Sequence, residues 1–180
     1  MADQVWEMQE GSCYVALTRD HLQVQPVMDR EGTLIWSLPG TTRNSFANLP
    51  VRELQYQAYN PLALRTMLSI AKAMVTKHSL KGIAMVHRLG TVPIGEESIL
   101  IAVSSPHRQA AWRAGEEALE ECKARVEVWK REEFVGEEGV WRANRDGVMG
   151  VKEEKGADGE GEKREEGKGG GEGKGNVTVI

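Results

Sequence analysis

Cysteine is nearly absent: the 180 residues hold two, Cys13 and Cys122. They lie far apart with no Cys-x-x-Cys or Cys/His spacing, which argues against a disulfide framework or a thiolate metal site. Aromatic residues are only 6% of the chain, and neither sign of charge dominates, since 23 basic and 27 acidic residues leave a net charge of −4. No overall field therefore gathers nucleic acid or an anionic membrane, and any anion site must be local. No stretch is apolar for long enough to span a bilayer, and Met1-Ala2-Asp3-Gln4 has neither the basic start nor the apolar run of a secretory signal. A cytosolic address is expected, and with it an unmodified Asn176-Val177-Thr178 sequon. There is no internal repeat and no glycine-rich phosphate loop.

Residues 151–180 are a mixture of Gly, Glu and Lys with few apolar side chains before Val177, Val179 and Ile180. Such a segment cannot bury enough surface to offset its ordering entropy, so 148–180 is predicted to be a disordered tail. Residues 1–12 are polar and predicted to be a flexible N-terminus. The core must come from 13–147.

Within that span, apolar periodicity predicts strands over Cys13–Thr18, Thr33–Leu38, Val51–Tyr59, Ile83–Leu89 and Ser98–Val103. Thr33–Leu38 and Ser98–Val103 are near-continuous apolar runs, as in strands covered on both faces. Pro39-Gly40 is read as closing the first of these, and Gly90–Glu97 as a turn. Asp20 is expected to cap a short helix over Leu22–Met28, and Pro61 to open a helix with the stripe Leu64, Met67/Leu68, Ala71 and Met74/Val75. In Val51–Tyr59, Val51, Glu53, Gln55, Gln57 and Tyr59 alternate with Arg52, Leu54, Tyr56 and Ala58, as in a strand with one face toward the core. His87 reads as a satisfied core histidine, and Val140–Gly147 as a final ordered segment anchored by burial of Trp141. Strands and helices alternate with short hairpins mixed in, so the class is α/β or α+β.

The stretch Ser104–Glu132 concentrates the chemistry. Ser104 or Ser105 with Pro106 predicts a helix start near 106, and Ala111, Gly115, Ala118/Leu119 and Cys122 mark its apolar stripe. After Lys123 the period changes to two, so Val126, Val128 and Lys130 share a face while Glu127 and Trp129 point the other way. A lysine on the face of two valines is set in apolar surroundings, where loss of water and a neighbouring cation favour its neutral form. Lys130 is thus a candidate for proton transfer or a covalent adduct. His107 and Arg108 sit in the first turn, where free N–H groups favour an anion; a solvated His-Arg pair is the plainer alternative. Arg43, in a loop just past a buried strand, is a further anion candidate with the same alternative. Cys122 reads as a small buried hydrophobe.

Met85-Val86-His87-Arg88-Leu89-Gly90, Gly95-Glu96, Ser104–Arg108, Lys123-Ala124-Arg125, Trp129-Lys130-Arg131-Glu132 and Trp141-Arg142-Ala143-Asn144-Arg145 together resemble the large, catalytic subunit of molybdopterin synthase, in its eukaryotic branch. The resemblance runs from about Val15 to Gly147 and makes 13–147 the catalytic-subunit domain. It implies an α+β fold of α/β hammerhead type, a mixed sheet with two main helices and an additional small antiparallel sheet. It also implies transfer of sulfur from the C-terminal thiocarboxylate of a small ubiquitin-like subunit to cyclic pyranopterin monophosphate, forming the molybdopterin dithiolene without cofactor or metal. The implied assembly is a homodimer core with one small subunit on each copy, a heterotetramer. By position, Lys123 and Lys130 match the catalytic lysines, and His107 and Arg108 the substrate-contacting pair. Arg131 and Glu132 complete the Lys-Arg-Glu element, and Arg43 and Arg145 match arginines facing the anionic substrate, in a pocket open to contributions from both copies. A non-enzymatic module that docks the tail of a ubiquitin-like partner is the alternative, and an anion or RNA binder is disfavoured by the low overall charge.

Overall fold

The computed structural model describes residues 5–30, 36–41, 45–46, 49–134 and 137–143. Trp6 and Met8 are half-buried while Glu7, Gln9 and Glu10 are exposed, and this alternation is strand β1 (Trp6–Glu10), antiparallel to β2 (Cys13–Thr18). The two-residue turn between them begins with Gly11 at φ +56°, a conformation that favours glycine. Residues 6–10 are therefore an edge strand rather than the loose lead-in expected. Five residues with three polar ones leave too weak a pattern to stand out in sequence.

Helix α1 (Val24–Arg30) begins two residues later than expected, because Asp20 does not cap it. The Asp20 N–H instead donates to the Thr18 hydroxyl at 3.1 Å in a local turn. Strand β3 (Trp36–Thr41) runs through Pro39 and Gly40, which were expected to close it. β3 is the last strand of its sheet, where a proline's missing N–H is tolerated. Beyond it come β4 (Ser45–Phe46), β5 (Leu49–Ala58), the long helix α2 (Asn60–His78) with Pro61 in its first turn, β6 (Gly82–Arg88) and β7 (Gly90–Pro93). β7 replaces the expected turn: Gly90 takes φ +80° and lies opposite Tyr56, and Val92 is fully buried opposite Leu54. Strand β8 (Glu97–Ser104), helix α3 (Arg108–Arg125), β9 (Val128–Phe134) and β10 (Glu137–Ala143) complete the described chain.

The strands form two sheets. One is mixed, in the order β1-β2-β6-β8-β3, with β2 and β6 parallel and the other pairs antiparallel. The other is antiparallel, in the order β10-β9-β5-β4, with β7 also on β5. With α2 and α3 as the main helices, the class is α+β, as the resemblance implies. On one face of the mixed sheet, Val15, Leu17, Ile83, Met85, Ile101 and Val103 pack with Met67, Ile70 and Met74 of α2 and with the alanines of α3. On the other, Tyr14, Ala16, Ala84, Val86, Leu100 and Ala102 meet Leu22 and Val27. Burial on both faces explains the continuous apolar runs.

The buried residues of α3 are Ala111, Ala114, Gly115, Ala118 and Cys122, all small, so this helix lies close to what it covers. Glu117 fastens it to α2, accepting from Lys77 Nζ and, at 2.8 Å, pairing with His78 Nε2. Those two partners hold its carboxyl below the ordinary glutamate range. Among the described residues no helix is long and apolar enough to cross a membrane. The expected tail and the Asn176 sequon lie outside the described residues.

Candidate active site

The corner where α3 turns into β9 is pinned at several points. Val126 ends the helix with its N–H on the Cys122 carbonyl at 3.0 Å, and the Val128 N–H reaches the Val126 carbonyl at 2.8 Å. The carboxylate of Glu127, between them, accepts from the Thr66 hydroxyl of α2 at 2.9 Å, while its carbonyl accepts from the Tyr59 N–H at 3.3 Å. Val126 and Val128 are buried, at about 1.5–3 kcal/mol each. Lys123 and Lys130 stand on either side of this fixed corner.

Lys123 is in the last turn of α3, where a cation is favoured by the helix dipole. Its ammonium lies 3.4 Å from Glu120 Oε1, and its side chain is 26% exposed. Lys130, on β9, is 12% exposed and has Glu132 Oε1 at 3.9 Å, with the Glu132 side chain 5% exposed. Strand parity puts Val128, Lys130 and Glu132 on one face of β9, while Val126, expected to share it, lies before the strand as the cap of α3. Lys130 is thus set among apolar groups and beside a buried carboxylate. In the register it lies between Tyr56 of β5 and Arg142 of β10.

Tyr56 was legible as a strand residue but not as a neighbour of the site. It is buried, and its ring meets His87 edge-on at 5.1 Å between centroids. Burial lowers the His87 pKa to about 4, partly opposed by the hydrogen bond between Nδ1 and the Arg88 carbonyl at 2.8 Å. A carbonyl only accepts, so Nδ1 carries the proton and the ring is neutral at pH 7. His87 is the structural histidine expected.

The other predicted residues are dispersed. Arg131 alternates with Lys130 along β9 and so faces the other side of the sheet, with Nε 3.0 Å from Glu133 Oε1. The Lys-Arg-Glu element therefore divides: Lys130 and Glu132 on one face, Arg131 on the other. The helix starts at Arg108 rather than near 106, and His107 is its N-cap, with its own N–H on the Ser105 hydroxyl at 3.3 Å. His107 and Arg108 are both exposed. They sit at the opposite end of α3 from Lys123, and the fifteen residues between positions 108 and 123 rise about 22 Å along the axis. One copy of the chain does not bring them together. Arg43 and Arg145 lie outside the described residues.

Cys122 is buried, and desolvation pushes its thiol up to about 12 despite the opposing charge of Lys123. Among the described residues no group of three or more His, Cys, Asp or Glu is placed to hold a metal ion.

These features define an α+β protein with two helices on one face of a mixed sheet and a lysine-bearing corner leading into a second, antiparallel sheet. Residues 14–125 match the family model described as MoaE protein, and the chain belongs to that family. It is 72% identical over 148 residues to a protein of Pyricularia oryzae named molybdopterin synthase catalytic subunit, covering 80% of this chain and 81% of the relative. A Neurospora crassa protein of the same name is 68% identical over 161 residues, covering 87% and 78%. Among solved structures, molybdopterin synthase from Staphylococcus aureus superposes with a TM-score of 0.65 at 28% identity, covering 70% of this chain and 94% of that one. A complex of subunits 1 and 2 of molybdopterin-converting factor from Helicobacter pylori shares the fold at a TM-score of 0.56 and 17% identity, covering 69% and 87%.

Proposed function

We propose that this chain is the catalytic subunit of a molybdopterin synthase, an enzyme of molybdenum cofactor biosynthesis. The observation that carries this is 72% identity along about four fifths of both chains to a protein of that name. The reaction is sulfur transfer from the C-terminal thiocarboxylate of a small ubiquitin-like subunit to cyclic pyranopterin monophosphate, giving the dithiolene with no cofactor. The Helicobacter pylori complex, a protein of the same fold bound to another subunit, supports such a partner. A cytosolic setting suits two buried cysteines that form no disulfide.

In this reading Lys123 faces the partner's terminal carbonyl and stabilises the tetrahedral oxyanion as its acyl link breaks. Lys130, oriented by Glu132, transfers protons at the substrate. The cyclic phosphate needs fixed cations, a role assigned to Arg43, His107, Arg108 and Arg145. In this reading His107 and Arg108, at the far end of α3 from Lys123, come from a second copy, and the pocket lies across a homodimer that carries one small subunit on each half. Residues 13–147 form the working domain.

The test is reconstitution. The purified chain, a thiocarboxylated small subunit and cyclic pyranopterin monophosphate are expected to give dithiolene product, and Lys123→Ala or Lys130→Ala to abolish it in folded protein. Tail binding without product would replace the enzyme with a docking module.

A further inference from the structure

Helix α2 carries two threonines whose hydroxyls go to different places. Thr76 Oγ1 donates back into its own helix, to the Lys72 carbonyl at 3.0 Å, the usual local bond of a helical threonine. Thr66 Oγ1 instead donates across to Glu127, 2.9 Å from Oε2 and 3.3 Å from Oε1, joining segments 61 residues apart. Both side chains are half-buried. Only Val126 and Glu127 separate α3 from β9; Lys123 precedes this joint and Lys130 follows it.

The contact matters because of how α3 is held. Its buried residues are all small, so it offers α2 few ridges to resist turning, and polar ties supply what packing does not. Glu117 makes one tie, to Lys77 and His78 at the end of α2. Glu127 makes the other, to Thr66, which lies about 17 Å before Lys77 along the axis of α2. A longer bond, 3.3 Å from the Tyr59 N–H to the Glu127 carbonyl, backs it up. Two ties that far apart fix a direction, whereas Glu117 alone would be a pivot. Lys123 lies about 9 Å beyond Glu117 along α3, so a turn of about 10° on that pivot carries it about 1.5 Å. Lys130 would not follow, since β9 is held in register by β5 from Val128 onward. We propose that Thr66 and Glu127 are positioning residues, whose contact keeps Lys123 in place relative to Lys130. This rests on the reading that both lysines act in one reaction, where a misplacement of about 1 Å costs on the order of a hundredfold in rate.

The experiment measures kcat and KM of the reconstituted enzyme, with thiocarboxylated small subunit and cyclic pyranopterin monophosphate, for chains altered at these two positions. Thr66→Val keeps the shape and removes the hydroxyl. It should lower kcat per folded chain roughly tenfold or more, leave KM within about twofold, and lower the melting temperature by only a few degrees. Thr66→Ser, which keeps the donor, should recover most of the loss. Glu127→Ala cuts the same bond from the joint, outside any helix, and should match Thr66→Val, while Glu127→Gln keeps an acceptor oxygen and should again recover most of the loss. Thr66→Val and Glu127→Ala together should be no worse than either alone, because they remove one contact. A loss that merely tracks melting temperature, that Thr66→Ser fails to reverse, or that adds between the two positions overturns the inference. Lys123→Ala and Lys130→Ala are measured beside these. If both keep turnover, the lysine assignment falls and the inference with it. If both lose turnover while Thr66→Val and Glu127→Ala keep the parental kcat, the lysines stand and the inference alone falls.

Discussion

Lys130 Nζ stands 3.9 Å from Glu132 Oε1 on one face of β9, with both side chains largely withdrawn from water. Removing one member of such a pair takes a counter-charge from the buried other, at roughly 3 kcal/mol. Lys130→Ala is expected to abolish product formation and lower the urea midpoint. Glu132→Gln, which keeps the shape and removes the charge, should cut turnover about tenfold or more by releasing the ammonium from its orientation. Unfolding curves and product assays on the two variants check this, and normal turnover in Lys130→Ala would remove its assigned role.

Lys123 should behave differently. Its pairing with Glu120 is a surface i,i+3 contact, so Lys123→Ala is expected to change stability by no more than about 0.5 kcal/mol. Turnover should nevertheless disappear. A loss of activity that merely tracked a loss of folded protein would contradict the assignment.

His87 makes stability depend on pH. Its folded pKa of about 4 lies below the ordinary 6.5, so between these values the unfolded chain binds the extra proton. Stability is full above pH 6.5, falls as pH drops toward 4, and levels off below, a total of roughly 3 kcal/mol. Denaturant unfolding at pH 7, 5.5 and 4.5 measures the slope. His87→Phe should flatten the part due to this ring.

Cys122 is expected to be chemically silent. With its thiol pushed up to about 12, it should resist iodoacetamide at pH 8 in the native protein and react once the chain is unfolded. Cys122→Ala should cost roughly 1 kcal/mol and leave turnover unchanged. Rapid native alkylation, read by mass spectrometry, would show the burial to be wrong.

The lysine corner was readable because a change of period from 3.6 to 2 between Cys122 and Val128 is a strong local signal, and parity then fixed which way Lys130 points. The same parity already implied that Arg131 faces away, and the span from Arg108 to Lys123 already implied separation along the helix. A motif read as a string hides both. What sequence did not reveal depended on contacts between distant segments. β1 and β7 are short and partly polar, and exist because β2 and β5 offer partners. Trp141 looked like an anchor because large aromatics usually are, whereas its neighbours across the sheet leave it open to solvent. Arg43 and Arg145 lie outside the described residues.

The span of α3 has a genetic corollary. If each pocket takes His107 and Arg108 from one protomer and Lys123 from the other, two inactive alleles damaged at opposite ends of that helix should rescue each other. Random mixing of a His107→Ala chain with a Lys123→Ala chain would make half the dimers hybrids, each with one intact pocket, restoring up to about a quarter of parental activity. Two alleles damaged at the same end should restore none.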